Sequence, residues 1–404
     1  MNDWERRRLL GEVVRAGNCQ VPVRLRGEAV NLETGEVTPR GLTVSCKDRR
    51  ESVCRACSER YETDAWIIAA TGVNGGKGVP DSVVGAPRLF VTVTAPSFGR
   101  VHSVTATGSC GASRRSRSQR CPHGRLVRCD AYHERSEDVV GHPLCEECFD
   151  ALGAVRWNAN STQLWAEAMR RSRRELAAAS GVSRRHLAKT TRLEYVKVVE
   201  LQRRGLVHFH ALVRLDQVED VPDADQVSRA MRRAIGEARV SDTWGEYRFG
   251  EVMEVEILGA TNQDVRSVAT YLAKYVTKSA GASVELAHRF TTRRQIRNLV
   301  TDTHLRRLAL CAWDDGMRRH AHSLGYRGHF ITKSRRYSTT FATLRAARAE
   351  FWTKGAVAEP ILASYRYEGR GYEDPRGSQL AGALATLDRE RRREERRAAR
   401  GGKP

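Results

Sequence analysis

Tyr195-Val-Lys-Val-Val-Glu200-Leu-Gln202-Arg203-Arg204-Gly205-Leu-Val-His208-Phe-His210-Ala-Leu-Val-Arg-Leu215 reads as two strands around a charged turn. Val196, Val198 and Val199, then Leu206, Val207, Leu212 and Val213, are strand formers, and Arg203, Arg204 and Gly205 supply the loop. Side chains alternate along a strand, so His208 and His210 share one face and Phe209 takes the other. That loop sets Gln202 opposite Leu206 and Glu200 opposite His208. Opposed Cβ atoms lie about 4.5–5.5 Å apart. Two imidazoles and a carboxylate then converge, a donor set that suits a catalytic divalent metal. Gln202 shares the face of Glu200 and can assist or replace it. A His-x-His pair alone reads as two half-buried histidines; the matched carboxylate brings the metal reading level with that one.

A second stretch, Asp264-Val-Arg-Ser-Val-Ala-Thr-Tyr271-Leu-Ala-Lys274-Tyr275-Val-Thr-Lys278-Ser279, reads as a helix. Asn262 or Asp264 can cap it, and Val265, Val268, Leu272 and Val276 form an apolar stripe. Tyr271 and Tyr275 share a face, about 6 Å apart along the axis, and Lys274 and Lys278 form a neighbouring pair. A phenol titrates near ~10 and needs help to ionise, which two ammonium groups give. Taken alone, the tyrosines read as amphipathic residues at a core edge.

Together the two stretches resemble the HUH endonucleases. The helix is similar to the Tyr-x-x-Lys-Tyr-x-x-Lys motif of two-tyrosine replication initiators. Leu89-Phe-Val-Thr-Val-Thr94 resembles the strand that precedes the His motif in rolling-circle initiators, and the order strand, His motif, Tyr helix is the same. From the first cysteines to Gly328-His-Phe-Ile-Thr-Lys-Ser-Arg-Arg-Tyr337, the chain resembles the initiators of actinobacterial plasmids and integrative elements. The resemblance implies an α+β fold, an HUH-type antiparallel sheet with helices on one face. It also implies nicking and rejoining of one strand of origin DNA, single-stranded or in a hairpin, through a 5′-phosphotyrosine link that needs no ATP. One Mg²⁺ or Mn²⁺ held by His208, His210 and Glu200, with Gln202 beside them, would polarise the scissile phosphate. Tyr275 would make the first cut, Tyr271 would act at termination, and Lys274 and Lys278 would neutralise phosphate charge. No ATPase motif is present, so a host helicase and polymerase are the expected partners.

The composition agrees. Lys and Arg number 69 against 48 Asp and Glu, for a net charge of +21 in 404 residues, which favours a polyanion and nucleic acid before membrane. No apolar run approaches the ~20 residues of a membrane span. The start, Met1-Asn-Asp-Trp-Glu-Arg-Arg-Arg, has no apolar region after it of signal-peptide length, and the chain reads as cytoplasmic.

Ten cysteines in such a chain argue for metal rather than disulfides. Cys54-x-x-Cys57 follows Cys46 and the more distant Cys19, and reads as one structural zinc site. Cys145-x-x-Cys148 follows Cys121 and Cys129, and reads as a second, with Cys110, His123 and His133 as possible replacements. Cys311 stands alone and reads as core.

The expected layout is a zinc module over 1–85, an endonuclease core over 86–281 with a zinc-stapled insertion at about 104–150, a basic helical region over 282–387, and a charged tail over 388–404. Helices are expected over 58–71, 160–179, 183–190, 225–238, 288–320 and 340–353, with strands over 88–95 and 250–258. The tail reads as loosely helical or disordered. Arg203 and Arg204 in the turn, with Lys333, Arg335 and Arg336 in a basic patch, are candidate DNA contacts. Gly72-Val-Asn-Gly-Gly-Lys-Gly78 lacks the ending and spacing of a phosphate-binding loop and reads as a flexible connection. Two other readings remain: a two-tyrosine transposase or relaxase with the same chemistry, and a non-catalytic zinc regulator that binds DNA, which leaves the His, Glu and Tyr constellation unexplained.

Overall fold

The computed structural model describes residues 2–104, 110, 119–217, 222–259, 267–274, 286, 289–353 and 361–401. The first elements in chain order are α1 (Asp3–Arg15), β1 (Val23–Asn31), β2 (Val37–Val44), α2 (Arg55–Asn74), β3 (Arg88–Val93), α3 (Ala151–Ala179) and α4 (Arg184–Thr190). Next come β4 (Thr191–Leu201), β5 (Val207–Gln217), α5 (Ala224–Glu237), β6 (Val240–Asp242), β7 (Gly245–Tyr247), β8 (Met253–Ile257) and a helix over 267–274, here α6. Then follow α7 (Arg293–Leu299), α8 (Thr303–Asp314), β9 (Ile331–Lys333), α9 (Phe341–Thr353), β10 (Ile361–Arg370) and α10 (Arg376–Gly401).

The chain forms two compact units: Met1–Asp64 with Thr340–Pro404, and Ala65–Thr339. The expected divisions lay after 85, 281 and 387. The carboxy-terminal chain instead joins the amino-terminal one, because β10 pairs antiparallel with β1 from Val23↔Arg370 to Asn31↔Ile361. The first unit holds the sheet β10-β1-β2. Its core joins Val13 of α1 and Ala16 just after it, Ala381 of α10, Tyr372 and the cysteines Cys19, Cys54 and Cys57. Of the charged tail, the described residues 388–401 form the end of α10.

The second unit is built on one antiparallel sheet in the order β8-β3-β5-β4-β9. The β4–β5 register sets Glu200 opposite His208, as the loop length dictates. One face carries Leu89, Val91, Val199, Phe209, Ala211 and Val213, which pack in a single core with Trp157, Trp165, Met231 and Leu308 of α3, α5 and α8. Burying a large apolar side chain contributes about 1.5–3 kcal/mol, so this face orients the sheet. Helices on one face were expected; both faces are covered. On the opposite face Tyr271 of α6 packs its ring against Phe90, while Arg214 hydrogen-bonds the carbonyls of Gly72 and Tyr337.

The elements differ from expectation mainly at their ends. α3 begins at Ala151 because the Asp150 side chain accepts from the amide of Gly153. The basic stretch over 288–320 breaks into α7 and α8, since Thr292 and Asp302 each cap a new start. The β1, β2 and β10 sheet has no counterpart in the expected layout.

Candidate active site and metal centres

The hairpin turn is held from several sides. Gly205 turns with φ 77°. Asn158 of α3, fully buried, donates to the carbonyls of Gly205 and Leu324, both at 2.9 Å, and accepts from the amide of Val207 at 3.0 Å. His304 of α8 bonds the carbonyl of Arg204 at 3.1 Å. Gly141 (φ 95°) sits so close that a Cβ there would lie 2.6 Å from Cβ of Arg203.

Above the turn the polar face assembles. His208 and His210 have ring centroids 4.5 Å apart, and both are buried. Thr92 of β3 holds Nδ1 of His210 at 3.2 Å, and Oε2 of Glu200 lies 3.4 Å from Nε2 of the same ring. Gln202 accepts from Nε of Arg204 at 2.8 Å, which turns its amide nitrogen toward Nδ1 of His208 at 3.3 Å. Burial, reinforced by His210 and Arg204, pushes His208 down to about 3, so the ring is neutral, the form that ligates metals. Tyr271 packs edge-on to His210, centroids 5.1 Å apart. The described part of the helix thus brings Tyr271 to the histidines, with Lys274 one turn on; Tyr275 and Lys278, like half of the expected helix, lie outside the described residues.

The donor set of His208, His210 and Glu200, with Thr92 and Gln202 orienting the two rings through their Nδ1 atoms, fits a divalent cation in kind. Among the described residues, three further groups of Cys and His side chains bring their ligand atoms within 4.8 Å of one another.

The first of those groups is Cys19, Cys46, Cys54 and Cys57. Gly17 and Asn18, at φ 67° and 56°, turn the chain after α1 and deliver the distant Cys19. The sulfurs of Cys54 and Cys19 are 3.7 Å apart, and the amides of Cys46 and Gln20 donate to Cys19 and Cys54. Hydrogen bonds from the Cys19 thiol, then Cys46 and Cys57, hold Cys54 well below the usual thiol range.

The insertion departs from the expected single site. Cys121, Cys145 and Cys148 gather with His123, whereas Cys129 joins His102, Cys110 and His133 in a separate group. Nδ1 of His123 is 3.3 Å from the sulfur of Cys148, and Nε2 of His133 is 3.4 Å from that of Cys129. The spacings Cys121-x-His123 and Cys129-x-x-x-His133 are the signals that separate them; His102 has no local signal. Glu137 takes Nδ1 of His133 at 2.8 Å, which turns Nε2 of that ring toward Cys129. The insertion also reaches the hairpin, because Arg203 donates to the carbonyl of Glu137. His142 contacts Asp302, the cap of α8, at 3.0 Å.

The expected DNA contacts are divided. Arg204 is drawn inward to Gln202 and the carbonyl of Ala95. Lys333 bonds the carbonyls of Ser334 and Arg335, while Arg335 and Arg336 are exposed. Cys311 is half-buried in α8.

The family model "RepSA: Replication initiator protein, pSAM2" matches residues 5–386. A replication initiator protein from Streptomyces ambofaciens is 35% identical over 419 residues, covering 91% of this chain and 86% of that relative. No solved structure matches the chain.

Proposed function

The chain belongs to the RepSA family of replication initiator proteins, and we propose that it starts rolling-circle replication of a plasmid or integrative element by nicking one strand of the origin. A tyrosine oxygen attacks the scissile phosphorus, the P–O3′ bond breaks, and the 3′ oxygen takes a proton. The products are a 5′-phosphotyrosine link and a 3′-OH for a host polymerase, with a host helicase opening the duplex. Rejoining reverses the balance: a 3′-OH attacks and the phenol is regenerated.

One observation carries this reading: Tyr271 packs on His210, while Glu200, Gln202, Thr92 and His208 share the same strand face. His208, His210 and Glu200 would hold Mg²⁺ or Mn²⁺; when bound, the cation withdraws charge from the phosphate under attack. Thr92 and Gln202 orient the two imidazoles. Phe90 and His210 fix the Tyr271 ring, and Lys274 offers an ammonium to the phosphate. Tyr275 and Lys278 complete the two-tyrosine scheme of the HUH nucleases. The three Cys/His groups would hold structural zinc, and the two in the insertion brace the hairpin turn.

The test is incubation with single-stranded origin DNA and Mg²⁺ or Mn²⁺, read on a denaturing gel. A protein–DNA adduct that chelation prevents supports the proposal. Retained DNA binding with no cleavage in any metal overturns it in favour of a non-catalytic regulator.

A further inference from the structure

The sheet β10-β1-β2 exposes an aromatic face that the nicking scheme does not use. Tyr365 and Tyr367 are two apart on β10, so they share a face, about 7 Å from one another. Both are exposed, Tyr367 at 64%. Gly27 of β1 lies between Tyr365 and Arg40 of β2, and Leu25 lies between Tyr367 and Leu42. Gly27 has no side chain, and the Ser364 carbonyl oxygen occupies the space of its missing Cβ. Only the Tyr365 row lacks a central side chain, which leaves a shallow trough about 9.5 Å across between Tyr365 and the Arg40 guanidinium two strands away, while Leu25 fills the row beside Tyr367. By register Arg40 and Arg370 share the face of the two tyrosines, whereas Arg24, Arg26 and Arg366 lie on the other face with Glu28 and Glu368, where Glu368 pairs with Arg24 and Arg26. The tyrosine face is thus basic, a balance that suits a polyanion.

We infer that this face binds single-stranded DNA, with successive bases stacked on Tyr365 and Tyr367 and a backbone phosphate across the trough at Arg40. Duplex bases present no open π-face, whereas every unpaired base does, so exposed rings beside arginines select single strands without reading sequence. The inference rests on the proposed handling of origin DNA, and it assigns to a second site the task of holding the opened strand.

The test is equilibrium binding of the full chain to a single-stranded and a duplex origin oligonucleotide, by fluorescence anisotropy without divalent metal. This readout is independent of cleavage, so a failure of nicking leaves it intact. The double variant Y365A/Y367A should bind the single strand about 30-fold more weakly, with duplex binding within a factor of about 2. Y365F/Y367F keeps both rings and should bind like the parent. Zinc content and the unfolding midpoint of each variant establish that it is folded. Undiminished single-strand binding by the alanine variant overturns the inference. So does an equal loss for duplex, which marks a groove reader. A change in oligomeric state with unchanged DNA binding also overturns it, because the face then pairs copies of the chain.

Discussion

The ring of Tyr271 stands edge-on to that of His210, with centroids 5.1 Å apart and planes at 89°. Residues more than 60 positions apart in the chain thus meet on the polar face of one sheet (271 − 210 = 61). Phe90 completes the cluster, stacked on His210 and edge-on to Tyr271.

The first expectation concerns the histidines. Replacing His208 or His210 by Ala should reduce nicking by roughly 100-fold or more. Binding of origin DNA should stay close to wild type, since distributed basic charge supplies it. Chelation should do the same reversibly in the parent. Cleavage at the parental rate by His208→Ala in excess chelator removes the metal from the mechanism.

Zinc content is the second. Three Cys/His groups are gathered among the described residues, so the purified chain should contain about three zinc ions. Cys129→Ser should lower that to about two, and Cys54→Ala should do so through the other unit. Each should lower the unfolding midpoint, because structural zinc binding is coupled to folding. Cys129→Ser should also slow nicking, since Glu137, beside His133, holds Arg203 of the turn. Mass spectrometry of the native protein counts the ions, and a folded, zinc-free chain contradicts all three sites.

How much of this was legible follows from the range of each signal. The hairpin register came from alternation and loop length, and both are local. Tyr271 came from helical spacing and its resemblance, and the contact with His210 only from the fold. The pairing of Cys129 was misjudged because equal cysteine counts admit several partitions. The Cys121-x-His123 and Cys129-x-x-x-His133 spacings hint at the division, but only three-dimensional proximity brings His102 to Cys129. Asn158 was invisible, since it precedes the helix expected over 160–179; α3 begins earlier, at Ala151, and there Asn158 satisfies the hairpin backbone. The β10–β1 pairing joins segments at opposite ends of the chain, and no local pattern encodes that.

Lys197 gives a pH-dependent expectation. It is buried on the core face, with its ammonium 3.8 Å from the ring centre of Phe209. Burial pushes it from 10.5 down to about 7. The unfolded chain therefore binds the extra proton between those values, so its contribution to stability rises with pH across that window and is lowest below about 7. Lys197→Met should stabilise the fold at pH 7 by an amount of order 1 kcal/mol or more and flatten the pH dependence. Urea unfolding of both proteins from pH 6.5 to 10 measures this; identical slopes against pH would place the charge elsewhere.

The account turns on a tyrosine as nucleophile, and the direct measurement is peptide mapping of the protein–DNA adduct from the parent, Tyr271→Phe, Tyr275→Phe and the double variant. Phenylalanine keeps the ring that packs on His210 and removes the oxygen that attacks. The account predicts adduct on Tyr271 or Tyr275 in the parent, some remaining in each single variant on the surviving tyrosine, and none in the double variant. Adduct at any other residue, or undiminished adduct in the double variant, would contradict it.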